Sequence, residues 1–400
     1  MHPGPQITGD SDLDPASIPP GDWDRAPWNR WSFQNVRKIL PTVDVSRGTG
    51  PVIPLPQNLH AIGDIEFTGF GGSHMSVGEM LDSSFTDGFL IAIDGKIIHE
   101  SYHNGMTPET QHLAQSVSKS IVSTVAGILI GRGLLDPMRP VTDFLPELTE
   151  TAWNGALLQH VLDMTSGAKF DENYTALESD IAKTDVACGW KPIPAGADPA
   201  TIWPKSMWEQ IQSLKTQEVE HGSRFEYRSI ETDVLAFVME KVSGKGLAQL
   251  VSDELWSKIG AENDAFFTVD STGYALADGG FNATLRDFAR FGLLHLNDGK
   301  IGETQIVPKA WIDDIRSGAH GLFNEVSREF MPNGCYRNKF WIEDAAKQTI
   351  VALGVFGQMI YISPEDNLVA VKLSTFPDFL NTEFEVNTLR AICAVAMSRK

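Results

Sequence analysis

The stretch Leu113-Ala-Gln-Ser-Val-Ser-Lys-Ser-Ile-Val-Ser-Thr-Val-Ala-Gly-Ile-Leu-Ile-Gly-Arg-Gly-Leu-Leu135 organises the reading of the chain. Its apolar residues Val117, Ile121, Val122, Val125, Ile128, Leu129, Leu134 and Leu135 cover most of a helix circumference, and a helix apolar nearly all round is a central, buried one. Its first turn holds Ser116-Val-Ser-Lys119. On a helix an offset of three puts both polar tips on one face. A serine hydroxyl attacks poorly without a base, and a lysine in a desolvated site can lose its proton and serve as one. The free N–H groups and positive dipole end of a first turn favour a developing oxyanion. The same spacing recurs at Ser166-Gly-Ala-Lys169, where Gly167 argues against a helix. For so short a motif, a merely structural helix serine is the competing reading.

Around that helix, Phe89-Leu-Ile-Ala-Ile93 and Lys96-Ile-Ile-His-Glu-Ser-Tyr102 flank Asp94-Gly95, the signal of a type I′ hairpin. A second hairpin is predicted from Gln358-Met-Ile-Tyr-Ile362 and Leu368-Val-Ala-Val-Lys-Leu373, and a closing helix over Thr382 to Met397. Residues 140 to 290 read mainly as helices and long loops, with Thr232–Ser243 and Leu247–Ile259 periodic. Trp190-Lys-Pro-Ile-Pro-Ala-Gly-Ala-Asp-Pro199 cannot be helical and is either an active-site loop or a connection. Prolines from Pro3 to Pro56 make residues 1–60 an extended wrapping arm, anchored by Trp23, Trp28 and Trp31. The expected fold is α/β (α+β), a mainly antiparallel sheet flanked by helices. The sheet domain would comprise residues 1–140 plus 290–400, and residues 141–289 would form an inserted all-helical lobe.

Composition narrows the function. At 400 residues, 42% hydrophobic and 21% charged, the chain has material for extensive burial and is not a disordered or fibrous protein. Its 52 acids against 32 bases give a formal charge of −20, a sign that repels phosphate backbones and anionic lipid, and no basic run offsets it. Met1 to Asp10 lacks a basic start and an apolar core, so no secretory signal is expected, a trimmed leader being left open. The longest apolar run, Ile121 to Ile130, is too short to span a bilayer. Cys188, Cys335 and Cys393 are odd in number and widely spaced, which reads as reduced, cytoplasmic thiols rather than disulfides or a zinc site.

Two further motifs bear on chemistry. His99-Glu-Ser-Tyr-His103 matches the zinc-protease pattern, but it follows an Asp-Gly turn on an expected strand. Four residues of strand span roughly 13 Å, too far for two imidazoles to share an ion with bonds of about 2 Å. Gly71-Gly-Ser-His-Met75 fails the Gly-x-Ser-x-Gly elbow at its last position. Tyr227, in Phe225-Glu-Tyr-Arg-Ser-Ile-Glu-Thr-Asp-Val-Leu235, could act with the lysine, because a phenol near an ammonium is eased toward phenolate. Its bland alternative is an ordinary core tyrosine.

The order Ser116-x-x-Lys119, Tyr227-x-Ser229 and Gly354-Val-Phe-Gly-Gln358 resembles the serine β-lactamase and penicillin-binding superfamily, and more closely the 6-aminohexanoate-dimer hydrolases, nylon-oligomer amidases with esterase activity. Asn29-Arg-Trp31, Gln115 to Ser120, Val161-Leu-Asp-Met164, Asp171-Glu-Asn-Tyr174, Phe225 to Leu235, Thr268 to Gly273 and Gly357-Gln358 carry the resemblance from residue 28 to the end. It implies a β-lactamase/transpeptidase-like fold and a cofactor-free, metal-free serine hydrolase. Ser116 would be the nucleophile, Lys119 and Tyr227 its proton-handling partners, and the backbone N–H groups of Ser116 and Val355 the oxyanion hole. Tyr174 would be a lid residue meeting the substrate and Asp185 an acid lining the pocket, with Asp278, Ser229, Gly354 and Phe356 in the same cleft. An inward Asp185 would favour substrates with an amine remote from the scissile carbonyl. Ser229 stands where penicillin-recognising enzymes have Asn, and Gly354-Val-Phe356 offers no cation where they carry Lys-Thr-Gly, so strong β-lactamase activity is disfavoured. Phe356 makes that wall apolar. The expected partner is a small-molecule ester or amide, with no nucleic acid and no membrane, and a homodimer is left open. An acyltransferase or a non-catalytic penicillin-binding-like receptor on the same scaffold are the alternatives.

Overall fold

The computed structural model describes residues 7–318 and 320–399. The first six residues of the arm, including Pro3 and Pro5, lie outside the described residues. The rest of the arm is stapled down as its tryptophans suggest. Trp23 and Trp31 are 3% and 0% exposed, and their indole N–H groups donate to Trp190 O at 2.8 Å and Ser11 O at 2.9 Å. The arm then supplies a strand, β1 (Thr42–Val45).

Asp94 and Gly95 have φ of 51° and 71°, the left-handed pair that a type I′ turn requires. They join β2 (Thr86–Ile93) to β3 (Lys96–Tyr102). After the short β4 (His112–Leu113) comes the central helix α1 (Val117–Gly131), shorter at both ends than its apolar pattern: Leu113 is already strand, and Leu134 lies beyond the helix and is 50% exposed. Helices α2 (Asp180–Ala187) and α3 (Ile230–Ser243) follow, then β5 (Ala265–Thr268), β6 (Phe281–Ala283) and α4 (Leu285–Leu296). The C-terminal part gives β7 (Cys335–Arg337), β8 (Phe340–Asp344), β9 (Thr349–Gly354), β10 (Gln358–Ser363), β11 (Leu368–Ser374) and α5 (Thr382–Met397).

The large sheet is antiparallel throughout, in the order β7-β8-β9-β10-β11-β2-β3, so strands from both ends of the sequence pair at β11 and β2. Helices cover both faces, which is why these strands read as nearly unbroken apolar runs. Leu90, Ala92, Ile360 and Val369 turn to the core containing α1 and α4, whereas Phe89, Ile91, Met359 and Ala370 turn to the core under α5. Gly292 lets α4 lie close on the sheet, since a Cβ there would stand 2.5 Å from Val369 Cγ1.

One correction concerns the insertion. Residues 141–289, expected to be all-helical, also hold β5 and β6, which pair with each other and with β1 and β4 in a second sheet ordered β1-β5-β6-β4. Strands of four and three residues are too short to show a period, so only the aromatic run Phe266-Phe267 hinted at them. The Leu247–Ile259 segment likewise splits, into an α-helix over Leu247–Val251 and a π-helical turn over Ser252–Trp256. His99 lies on β3, not on a helix, and the Nε2 atoms of His99 and His103 each lie 3.1 Å from Ser101 Oγ. Among the described residues no helix is long and apolar enough to cross a membrane.

Candidate active site

The turn from β4 into α1 is held in an unusual conformation. Gln115 adopts φ 49° and is 5% exposed, and Ser116 follows as the residue capping α1. A non-glycine residue in the left-handed region costs roughly 1–3 kcal/mol and persists only where its surroundings over-determine it. Here Ser118 does so: its hydroxyl donates to Gln115 O at 2.6 Å and accepts from Phe281 N at 3.0 Å. Ala114 N donates to Phe281 O at 2.8 Å, tying the preceding residue to β6. Gly354, at the end of β9, approaches from the other side. A Cβ at Gly354 would lie 2.5 Å from Ala114 O and 3.1 Å from Gln115 Cβ, so only glycine lets Val355 come this close to Ser116.

Lys119 is 1% exposed and fully occupied. Its Nζ donates to Ser116 Oγ at 2.7 Å and to Asp278 O at 2.7 Å. The Tyr227 ring lies beside the lysine, its centroid 5.2 Å from Lys119 Nζ. The Tyr227 ring stacks on Trp341 with centroids 5.6 Å apart and meets Tyr336 edge-on at 6.1 Å. Burial pulls the Lys119 ammonium down, but the charges of Tyr227, Asp278 and Glu172 outweigh it and hold Lys119 above its ordinary range. Burial raises the Tyr227 phenol, with Lys119 and the Ser116 hydrogen bond opposing. Lysine and tyrosine thus each act on the other's proton.

Seven of the residues nominated from sequence, Ser116, Lys119, Tyr174, Asp185, Ser229, Asp278 and Val355, line one small cavity. Tyr227 is not in its lining but stands against Lys119, and Gly354 lies against Ala114 and Gln115. The cavity adjoins a larger one of about 450 Å³, with Gln115, Tyr174, Asp185, Trp190 and Val355 in both walls. Phe356 is in the larger wall, at φ 63° and 7% exposed, its ring packed edge-on to Phe33 at 5.3 Å. Trp190 and Lys191 place the start of the Pro-rich loop in this wall.

Several details were not foreseen. Asp278 grips Lys119 through its carbonyl, while its own carboxyl, buried, is pushed up to about 6 against the pull of Lys119. Tyr174 and Ser229 both turn to Glu172: the phenol donates to Glu172 Oε1 at 2.8 Å, Ser229 Oγ donates to the same oxygen at 2.5 Å, and Ser229 N donates to Oε2 at 3.0 Å. Burial raises Glu172, with Lys119 and these bonds opposing. Glu172 thus ties Tyr174 to the N-terminus of α3; the only sequence signal was its place two residues before Tyr174. Asp185 is paired, not free. Lys191 Nζ lies 2.9 Å from Asp185 Oδ2 and 2.8 Å from Asp24 Oδ2.

Comparison with known proteins agrees with this arrangement. The beta-lactamase family profile matches residues 85–392. The 6-aminohexanoate-dimer hydrolase of Paenarthrobacter ureafaciens is 33% identical over 364 residues, covering 89% of this chain and 88% of that protein. The solved structure named "Putative 6-aminohexanoate-dimer hydrolase from Bacillus anthracis" superposes with a TM-score of 0.84 at 28% identity, covering 94% of this chain and 96% of that one. The octameric penicillin-binding protein homologue from Pyrococcus abyssi shares the fold at a TM-score of 0.61 and 17% identity, covering 81% of this chain and 76% of that one. With a buried lysine against the helix-capping serine, an antiparallel sheet built from both chain ends, and these relatives along nearly its whole length, the chain belongs to the beta-lactamase family and is a hydrolase related to 6-aminohexanoate-dimer hydrolase.

Proposed function

We propose that the chain is a cofactor-free serine hydrolase that cleaves carboxylic esters and linear amides through an acyl-Ser116 intermediate. The observation that carries this reading is the 2.7 Å contact of Lys119 Nζ with Ser116 Oγ, with the Tyr227 ring centroid 5.2 Å from the same Nζ. In the reactive state the Lys119–Tyr227 pair lacks one proton, as ammonium with phenolate or amine with phenol. Ser116 Oγ attacks the carbonyl carbon and its proton passes to that pair. The pair then returns a proton to the leaving alcohol or amine as the carbon–oxygen or carbon–nitrogen bond breaks. Water resolves the acyl-enzyme by the same steps in reverse.

The backbone N–H groups of Ser116 and Val355 are assigned to the tetrahedral oxyanion. Loss of one such donor typically costs about 3–4 kcal/mol of barrier, which explains why strain at Gln115 and a forced glycine at position 354 are tolerated. The amide half of the proposal draws on the Paenarthrobacter relative, whose name gives a 6-aminohexanoate dimer as substrate. The absence of a cation in Gly354-Val-Phe356 leaves a β-lactam carboxylate without the partner it has in penicillin-recognising enzymes. Ser116→Ala should lower hydrolysis of p-nitrophenyl acetate by about a thousandfold or more; full activity in that variant would refute the assignment.

A further inference from the structure

Three charged groups meet in the wall of the larger cavity: Asp24 from the arm, Asp185 from α2 and Lys191 from the loop that follows. Lys191 Nζ bridges the two carboxylates, at 2.8 Å from Asp24 Oδ2 and 2.9 Å from Asp185 Oδ2. All three side chains are largely sheltered, at 22%, 9% and 21% exposed for Lys191, Asp24 and Asp185. Their neighbours are fixed as well, because Trp23 donates to Trp190 O at 2.8 Å and the two indoles meet edge-on at 5.2 Å. The ammonium is therefore anchored at this wall rather than free in solvent. Burial pushes the Asp185 carboxyl up to about 6, with Lys191 opposing, and both acids hold the Lys191 ammonium above its ordinary range despite burial. Two carboxylates converging on one primary ammonium is the arrangement by which a pocket would bind an amine-bearing ligand. Here the ammonium belongs to the chain itself.

We propose that Lys191 is a specificity-determining residue: its ammonium occupies, from within, the place where Asp24 and Asp185 would bind a substrate ammonium, so the cavity selects esters and amides whose end remote from the scissile carbonyl is uncharged. The inference rests on the hydrolase reading above, and it reverses the amine preference that Asp185 alone suggests. Of the charged groups in this wall, Asp24 and Asp185 are engaged by Lys191, and Arg25 and Asp378 are of opposite sign to one another. An incoming ammonium therefore meets a like charge where the two converging carboxylates would have held it, and this repulsive element discriminates where shape does not. Uncharged chains meet no such barrier, and the apolar faces of Trp190, Phe356 and Phe379 in the same wall suit them. Within the linear amides, oligomers with a free amine would be the poorer substrates and neutral ones the better.

The test compares kcat/KM for substrates that differ only in their remote end. Methyl hexanoate is paired with methyl 6-aminohexanoate for the acyl side, and pentyl acetate with 5-aminopentyl acetate for the alcohol side. In Lys191→Met and Lys191→Gln the ammonium-to-neutral ratio should rise about tenfold or more in at least one pair, whereas Lys191→Arg, which keeps the charge, should leave it near the wild-type ratio. Lys191→Gln can bridge both carboxylates as a neutral donor, so the test survives if Lys191→Met fails to fold. Ratios within about twofold of wild type in both neutral variants, on both pairs, would overturn the proposal. Ser116→Ala on the same esters separates the two claims: loss of activity there with unchanged ratios at position 191 sinks only the specificity assignment, while retained activity sinks the hydrolase reading itself.

Discussion

Lys119 Nζ lies 2.7 Å from Ser116 Oγ and equally close to the carbonyl of Asp278, so the lysine is anchored from behind by a backbone atom while it faces the serine. A carbonyl anchor fixes position without adding a full opposing charge. If lysine and tyrosine handle one proton between them, their losses should not add. Lys119→Met and Tyr227→Phe are each expected to lower kcat by about a thousandfold or more, and the double variant to be little worse than either. Steady-state kinetics on a p-nitrophenyl ester checks this; additive losses would mean that the two residues act independently.

The carboxyl of Asp278, ionised above about 6, is among the charges that hold the Lys119 proton. Asp278→Asn removes that charge and keeps the carbonyl. The Lys119–Tyr227 pair then gives up its proton more readily, so the acid limb of the kcat/KM profile should move to lower pH. Glu172→Gln should shift it in the same direction, because Glu172 acts on Lys119 with the same sign. A limb that stays in place or moves upward in both variants would contradict this coupling.

Gly354→Ala places a Cβ 2.5 Å from Ala114 O. The strand end must retreat, taking Val355 away from Ser116. The expected result is a loss of about a hundredfold or more in kcat with a much smaller effect on thermal stability. A variant of normal activity would remove Val355 from the oxyanion site.

His295 supplies a stability test remote from the chemistry. Its Nδ1 carries the proton that is donated to Phe291 O at 3.0 Å, and its Nε2 faces Thr124 Oγ1 at 3.1 Å on α1. Burial lowers this ring to about 4 from the usual 6.5. The unfolded chain binds the proton first as pH falls, so the stability held above 6.5 drains away between 6.5 and 4, on the order of 3 kcal/mol in all. Melting temperatures of wild type and His295→Gln across that range should converge as pH falls; a constant gap would show that His295 does not titrate between the two states.

Much of this was legible before the structure, for reasons specific to each element. The two hairpins announced themselves because Asp94-Gly95 and the Ser363–Asn367 loop separate runs of strand-forming residues, and α5 because its pattern stops where the helix does. Strands β5 and β6 stayed hidden, since three or four residues carry no readable period. Among the site residues, Ser116, Lys119 and Tyr227 could be picked out because their types and spacing have chemical meaning. The roles of Ser118 and Glu172 could not, because they consist of bonds to Gln115, Phe281, Tyr174 and Ser229, which only the folded chain brings together. Asp185 was visible as an acid, but not its pairing with Lys191, nor the second contact of that ammonium with Asp24 of the distant arm.

The most direct test of the account is to react the protein with a fluorophosphonate that labels activated serines and to map the adduct by peptide mass spectrometry. The account predicts one adduct, on Ser116, formed in step with loss of esterase activity and absent in Lys119→Met. An adduct on Ser118, Ser229 or another residue, or full inactivation with Ser116 unmodified, would contradict it.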